Sequence, residues 1–472
     1  MTNDRMTNDE SMPNSRCQMP NRKRAAREAT QRTTGHAPFH SAIRHSPLIR
    51  HSSFVIRHCP AFLLALGLVA VSCRPVPSAE ELRKNWPRFR GPDGTGVACA
   101  KNVPTSWNGK TGHGILWKTE VPLSSPNSPV VWGDKVFLSG ATKEKREVYC
   151  FDAQSGKLLW QRPVRVSRRE PPGLLEATGY AASTMATDGQ RAFAIFATGE
   201  LAAFDFAGNK VWARDLGQPE NSYGYAASLA LWHNLLLIQF DQGGQPEDGK
   251  SKLLALDTRT GRTAWQATNR PVPSSWATPI VVPTPKGDQV VTAANPWVIA
   301  YDAAKGTELW RAKVLGGDVV PSPTFGGGFV FAAQSGSQLV ALRPDGSGDV
   351  TATKVAWEAV DGLPDVSSPL ATGELVFVLT SDGLLTCYDL KKGKKVWDHE
   401  FDIPFAASPT LVGDRIYLTA NKGVTFVIAA ARQHKELARN ELGEEVLASP
   451  AVLDGRLYVR GSKHLFCIAE KQ

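Results

Sequence analysis

Methionine is scarce in this chain, at 5 of 472 residues, and the motifs that usually betray chemistry are missing. The seven cysteines form no CxxC and no adjacent pair, so their spacing gives no metal site. A CxxCH haem motif is absent. There is no GxSxG, and His233, His399, His434 and His464 are scattered, which leaves Ser/His/Asp catalysis without support. No RNP, helix-turn-helix or zinc-finger pattern occurs. The formal net charge of +9 does not argue for nucleic acid either. Residues 1–60 hold ten Lys/Arg against four Asp/Glu, and the remainder is only mildly basic. Long hydrophobic runs are lacking as well. The stretch from Ala61 to Cys73 is too short for a membrane-spanning helix, which needs roughly 20 residues.

That stretch comes after Arg57 and His58 and fits the h-region of a secretory signal. "AVSC" resembles a bacterial lipoprotein box with Cys73 as the lipidated residue. The resemblance implies export to the periplasm or outer membrane, with membrane contact only through a lipid anchor. Residues 1–60 are basic and of low complexity, echoing Ile-Arg-His and His-Ser units. They read as a disordered extension or an over-extended start. Residues 74–113 read as a lead-in segment ahead of a repeat region that begins at Gly114.

What the chain has in abundance is glycine (41), proline (32) and tryptophan (13). Tryptophan-bearing tails recur at Trp117, Trp160, Trp212, Trp265, Trp310, Trp357 and Trp397, with Leu437 in place of an eighth. Their spacing falls in the range of about 40–50 residues expected of propeller blades. Each unit opens on small residues, often Ser-Pro, as in "NSPVVW", "SSPLAT" and "ASPTLV". Two apolar strands come next, the second ending in aspartate ("EVYCFD", "KLLALD", "WVIAYD"), and a fourth strand carries the tryptophan. Four such strands repeated around an axis predict an all-β, eight-bladed propeller over residues 114–472. The last unit has three strands, and the tail "GILWKTEV" precedes any complete unit. An N-terminal strand is therefore expected to close the last blade and hide both sheet edges.

Trp160 lies eight residues after Asp152, and the interval recurs from Asp257 to Trp265, Asp302 to Trp310 and Asp389 to Trp397. From Asp205 to Trp212 it is one shorter. Each aspartate is expected to accept hydrogen bonds from turn amides. Gly156, Gly208, Gly261, Gly306 and Gly393 are expected to supply positive φ in that turn. The indoles are expected to wedge between blades. Five copies in separate blades cannot converge on one substrate, so the set reads as structural. Cys150, Cys387 and Cys467 share one phase of the repeat and read as small buried hydrophobes.

With these residues the chain resembles the pyrroloquinoline-quinone (PQQ)-like propeller repeat family, whose Asp-x-x-Thr-Gly-x-x-x-Trp pattern "LDTRTGRTAW" matches in full. The family resemblance implies two functional branches. One is a cofactor-free lipoprotein subunit of the outer-membrane β-barrel assembly machine. The other is a quinoprotein dehydrogenase using PQQ with calcium. The adjacent cysteines of the dehydrogenase branch are missing, and its calcium-binding Glu, Asn and Asp set has no recognisable context here. The expectation is thus a non-catalytic scaffold without cofactor or metal. "NWPRFRGPDGTGVA" (Asn85 to Ala98) resembles the lead-in of exported bacterial proteins with this repeat. It reads as a packing segment in which Trp86 and Phe89 bury while Gly91, Gly94 and Gly96 turn.

The loops from each fourth strand to the next first strand gather at one mouth of a propeller. Tyr180, Tyr225 and Trp276 occupy comparable places in consecutive loops, and Glu176, Asp318 and Asp365 are close in sequence. Aromatics beside carboxylates at a channel mouth suit a protein, peptide or glycan ligand.

Overall fold

In the computed structural model, residues 77–100, 102–166, 174–175 and 178–470 are described. Cys73, the h-region and the basic extension lie outside them. The described residues form eight sheets, each with a four-stranded antiparallel core, arranged as the expected eight-bladed propeller. Blade one is Val130–Trp132, Lys135–Ala141, Arg146–Asp152 and Leu158–Pro163, counted from the innermost strand outward. Blade eight takes Ala451–Leu453, Arg456–Arg460 and His464–Ile468 from the C-terminus and Ile115–Glu120 from the N-terminal side. Trp117 lies opposite Cys467 in that closing pair.

Burial explains the composition of each strand. Second strands such as Leu235–Phe240 are buried at every position, because both faces meet a neighbouring blade. Outer strands such as Leu158–Pro163 alternate, burying Trp160 and exposing its neighbours. Cys150, Cys387 and Cys467 are fully buried in three different blades, and burial pushes each thiol up to about 12.

The aspartate, glycine and tryptophan act across blade boundaries. Asp152 accepts from the amides of Gln154 and Ser155 and from the Ser155 hydroxyl. Asp257 does the same with Arg259 and Thr260. Each indole donates to the next blade: Trp117 to the Ala153 carbonyl, Trp160 to Phe206, Trp212 to Thr258 and Trp265 to Ala303, at 2.9–3.2 Å. The turn glycine of that next blade lies under the indole. A Cβ on Gly156 would sit 2.5 Å from the Trp117 ring, and one on Gly261 would sit 2.7 Å from Trp212. So the glycine both adopts positive φ and leaves a flat seat for the preceding blade's ring.

Blade five has an inserted turn and no such aspartate. At its boundary with blade four, Trp310 donates to the side chain of Gln289 in blade four (2.9 Å), and Gln289 donates onward to the Pro344 carbonyl of blade five (3.0 Å). An amide side chain relays the contact that a direct bond makes elsewhere.

The small residues that open each blade form a second circuit. The amide of Ser128 donates to the Thr184 hydroxyl, Thr184 to Ser228, Ser228 to Thr278, Thr278 to Ser322, Ser322 to Ser368, Ser368 to Ser408, and Ser408 to Ser449, all at 2.9–3.1 Å and all buried. Seven links thus run in one direction through eight blades.

The lead-in is threaded into this frame. Trp86 pairs antiparallel with Val131 of blade one, the Thr187 amide of blade two donates to the Pro87 carbonyl, and Val97–Ala98 adds a parallel strand to blade seven. Trp86 is buried as expected, but Phe89 is only half-buried; Arg88 and Arg90 are buried in its place. Further on, Trp107 stacks on Tyr417 of blade seven, with ring centroids 6.4 Å apart and planes 10° apart.

Candidate functional site

The mouth where the fourth-to-first loops gather also holds the turns between second and third strands. Of the residues expected there, Glu176 lies outside the described residues. Tyr180 is half-buried, with the Arg146 guanidinium 4.7 Å from its ring centroid. Tyr225 is buried and stacks on Phe240 at 5.6 Å. Its hydroxyl has no hydrogen-bond partner among the described residues, and burial, then the nearby Asp241, hold the phenol well above its ordinary pKa. Trp276 meets the edge of Tyr223 at 4.9 Å. Asp365 accepts from the amide and hydroxyl of Ser381, at 2.9 and 2.5 Å. Asp318 is exposed, and its carbonyl accepts from Gln334.

These residues do not share one pocket. A pocket of about 220 Å³ is lined by Tyr180 together with Ser125, Thr178, Glu445, Leu447 and Arg460, and by none of Tyr225, Trp276, Asp318 and Asp365. A larger cleft of about 720 Å³ lies elsewhere, where the lead-in meets blade eight, among Arg83, Lys84, Cys99, Leu116 and Arg456. It is open and mixed in charge, and it shares no lining residue with the Tyr180 pocket.

The charged groups that sequence reasoning missed sit just beneath the mouth loops. Arg146 opens the third strand of blade one and faces Glu200 of blade two at 3.7 Å. Glu200 also accepts from the Thr198 hydroxyl. Asp241 sits just after the second strand of blade three and faces Arg270 at 3.4 Å; Ser275 (2.7 Å) and Gln239 (2.8 Å) donate to it as well. Burial raises the Asp241 pKa, and Arg270 and the two donors oppose that rise. Arg460 closes the second strand of blade eight and donates to the Asn127 side chain and to the carbonyls of Ser139 and Leu123 in front of blade one. One signal could have found Gln239 and Asp241: two polar residues interrupting the apolar run "LLLIQFD". Arg146, Arg270 and Arg460 lie at strand ends, where arginine is unremarkable in sequence.

Arg146, Glu200, Asp241, Arg270 and Arg460 are therefore each engaged with a partner in the fold. A calcium-held quinone would need several oxygen donors converging on one point. Among the described residues, no group of three or more His, Cys, Asp or Glu is placed to hold a metal ion.

Comparison with known proteins gives the family. The family model described as outer membrane protein assembly factor BamB matches residues 93–239 and 249–471. The outer membrane protein assembly factor BamB of Salmonella typhimurium is 25% identical over 276 residues, covering 54% of this chain and 65% of that protein. Its counterpart in Vibrio cholerae is 26% identical over 181 residues, covering 36% and 46%. Lupanine 17-hydroxylase [cytochrome c] of a Pseudomonas species is 24% identical over 396 residues, covering 66% and 56%. The matches thus span about half to two thirds of these relatives' length. Among solved structures, BamB from Moraxella catarrhalis superposes with a TM-score of 0.55 at 17% identity, covering 76% of this chain and 98% of that one. A europium-containing methanol dehydrogenase superposes with a TM-score of 0.62 at 12% identity, covering 83% and 99%. At such identity both likenesses speak for the fold alone.

Proposed function

Because the chain belongs to the outer membrane protein assembly factor BamB family, we propose that it is an exported, non-catalytic scaffold. It binds a protein partner at the loop-lined mouth of its propeller, in the service of outer-membrane protein assembly. One observation supports this reading best: the ionisable groups beneath the mouth are tied into the fold in pairs, Arg146 with Glu200 and Asp241 with Arg270. Groups held in this way stiffen a rim and set loop positions; they are not poised to exchange protons with a substrate. The aromatics Tyr180 and Trp276 remain partly accessible on that rim, as binding anchors do.

The test is affinity purification of the tagged full chain from solubilised envelopes of its host, with the captured proteins identified by mass spectrometry. A component of the barrel-assembly machinery is expected, with recovery reduced at least several-fold by Tyr180→Ala combined with Trp276→Ala. Absence of any such component overturns the assembly role. Dye-linked alcohol oxidation that appears on adding PQQ and calcium would establish the dehydrogenase reading in its place.

A further inference from the structure

The segment Asn85 to Ala98 reaches the inner strands of several blades. Beyond its contacts with blades one and two, Gly94 lies against Ile280 of blade four. Arg90 donates through Nη2 to the Pro369 carbonyl of blade six (2.5 Å) and to its own Thr95 carbonyl (2.9 Å). The Leu411 amide of blade seven donates to the Gly96 carbonyl (2.8 Å). Pro369 comes directly after Ser368, one of the hydroxyl residues that link the blades. The lead-in therefore carries its two arginines to the level of that circuit, inside the ring of blades.

Both arginines are almost wholly buried, Arg88 at 2% exposure and Arg90 at 1%. The Arg88 side chain makes no hydrogen bond to any described residue, and its Nε and Nη1 are buried without a partner. Nε and Nη1 of Arg90 are buried without one as well. Among the described residues, no carboxylate lies within ion-pair distance of either guanidinium. The acid that acts on Arg88 is Asp93, which is exposed and faces Arg83 at 3.8 Å. On Arg90 the neighbouring charge is Arg88 itself, of like sign. Burial lowers both, Arg88 to about 10 and Arg90 to about 9, so both still carry charge at neutral pH.

The other buried arginines also leave nitrogens without a hydrogen bond, Nε and Nη1 of Arg270 and Nε of Arg146 and Arg460, but each faces an acid or three acceptors. Arg146 has Glu200 and Arg270 has Asp241, while Arg460 has three oxygen acceptors. Two neighbouring buried cations with four unpartnered nitrogens are costly unless a counter-charge joins them. Gly94 fits the same picture. A Cβ at Gly94 would collide with Arg88 Nη2, so the turn is kept bare beside the guanidinium.

We infer that Arg88 and Arg90 form an anion site inside the propeller channel, built for a compact oxyanion of carboxylate or phosphate type. The planar guanidinium fork matches two oxygens of either group, and the free nitrogens supply the donors. This site is separate from the loop-lined mouth, and it stands whether or not the mouth binds an assembly partner.

The test is thermal unfolding of the full chain in sodium phosphate, sodium acetate and sodium chloride at matched ionic strength and pH, with isothermal titration of phosphate and acetate into the chloride sample. Phosphate or acetate is expected to raise the melting temperature by about 2–4 °C over chloride. A response to phosphate alone assigns a phosphate-type ligand, and a response to acetate alone a carboxylate. Arg88→Met should fold, abolish the shift and melt no lower than the wild type in chloride, because an unpaired buried charge has gone. Equal melting of the wild type in all three salts with no heat of binding overturns the site, whatever the variants do. So does an anion response in Arg88→Met equal to that of the wild type.

Discussion

The boundary between blades one and two and the boundary between blades seven and eight solve one problem by different means. At the first, Trp160 comes from the repeat itself. It donates to the Phe206 carbonyl and lies over Gly208 of the next blade. At the second the repeat has decayed: the register places Ala438, opposite Val427, where the indole would be, and not Leu437 as the sequence spacing suggests, which is exposed. The missing aromatic arrives from outside the repeat. Trp107 is buried in the cluster shared by blades seven, eight and one, flat against Tyr417. Its amide donates to Asn440 of blade seven, whose side chain donates back to the Thr105 carbonyl. A repeat can therefore lose its signature residue wherever a neighbouring segment brings an equivalent ring. What is preserved is a buried aromatic at the boundary, not the position that supplies it.

This equivalence is open to test. Trp107→Ala and Trp160→Ala should each cost about 3–5 kcal/mol, the usual range for removing a buried large aromatic. Chemical denaturation measures both. A loss for Trp107→Ala below a third of that for Trp160→Ala would break the comparison and reduce the lead-in to a covering. A smaller effect sharpens it at the boundary between blades four and five. Gln289→Leu strands both the Trp310 N–H and the Pro344 carbonyl in a buried setting, for an expected cost of about 1–3 kcal/mol. Denaturation of that variant beside Trp310→Phe, and of the double variant, should give strongly non-additive losses; additive ones would mean that the relay is not a unit.

The smallest effect concerns the turn aspartates. The Ser155 hydroxyl first, and then its amide, hold the Asp152 carboxyl below its ordinary range. A carboxyl lowered on folding contributes stability above its unfolded pKa of about 3.9, and that contribution fades as pH falls through the folded value. Asp152→Asn should therefore lower the melting temperature slightly at pH 7 and converge with the wild type as pH falls toward about 2, which gives it the flatter acid limb. An unchanged acid limb would show that the turn does not depend on the charge.

How much of this is legible in the sequence depends on periodicity. The eight blades, the closing strand and the turn set are all written at a fixed interval, and a repeated signal survives decay in any one copy. The functional residues have no such redundancy. Tyr180, Tyr225 and Trp276 are visible because they align between blades, yet the structure does not gather them in one pocket. Arg146, Arg270 and Arg460 each lie at a strand end, and only folding brings Glu200, Asp241 and Asn127 to them. In the lead-in, hydrophobicity ranks Phe89 as the residue to bury beside Trp86. The threading of that segment through the ring turns Arg88 and Arg90 inward instead, and no local pattern announces such a path.

The hydroxyl circuit has seven links, and among the described residues no eighth runs from the Ser449 amide to Ser128. In that gap Arg460 of blade eight reaches across to Leu123, Asn127 and Ser139. The circle is thus a bracelet with a clasp. Seven of its joints are interchangeable, each a backbone amide on a small hydroxyl. The eighth is a single long side chain gripping three oxygens, at the seam where the two ends of the propeller meet. A load that spreads the blades is shared among the like joints, and it finds its one distinct fastening at Arg460.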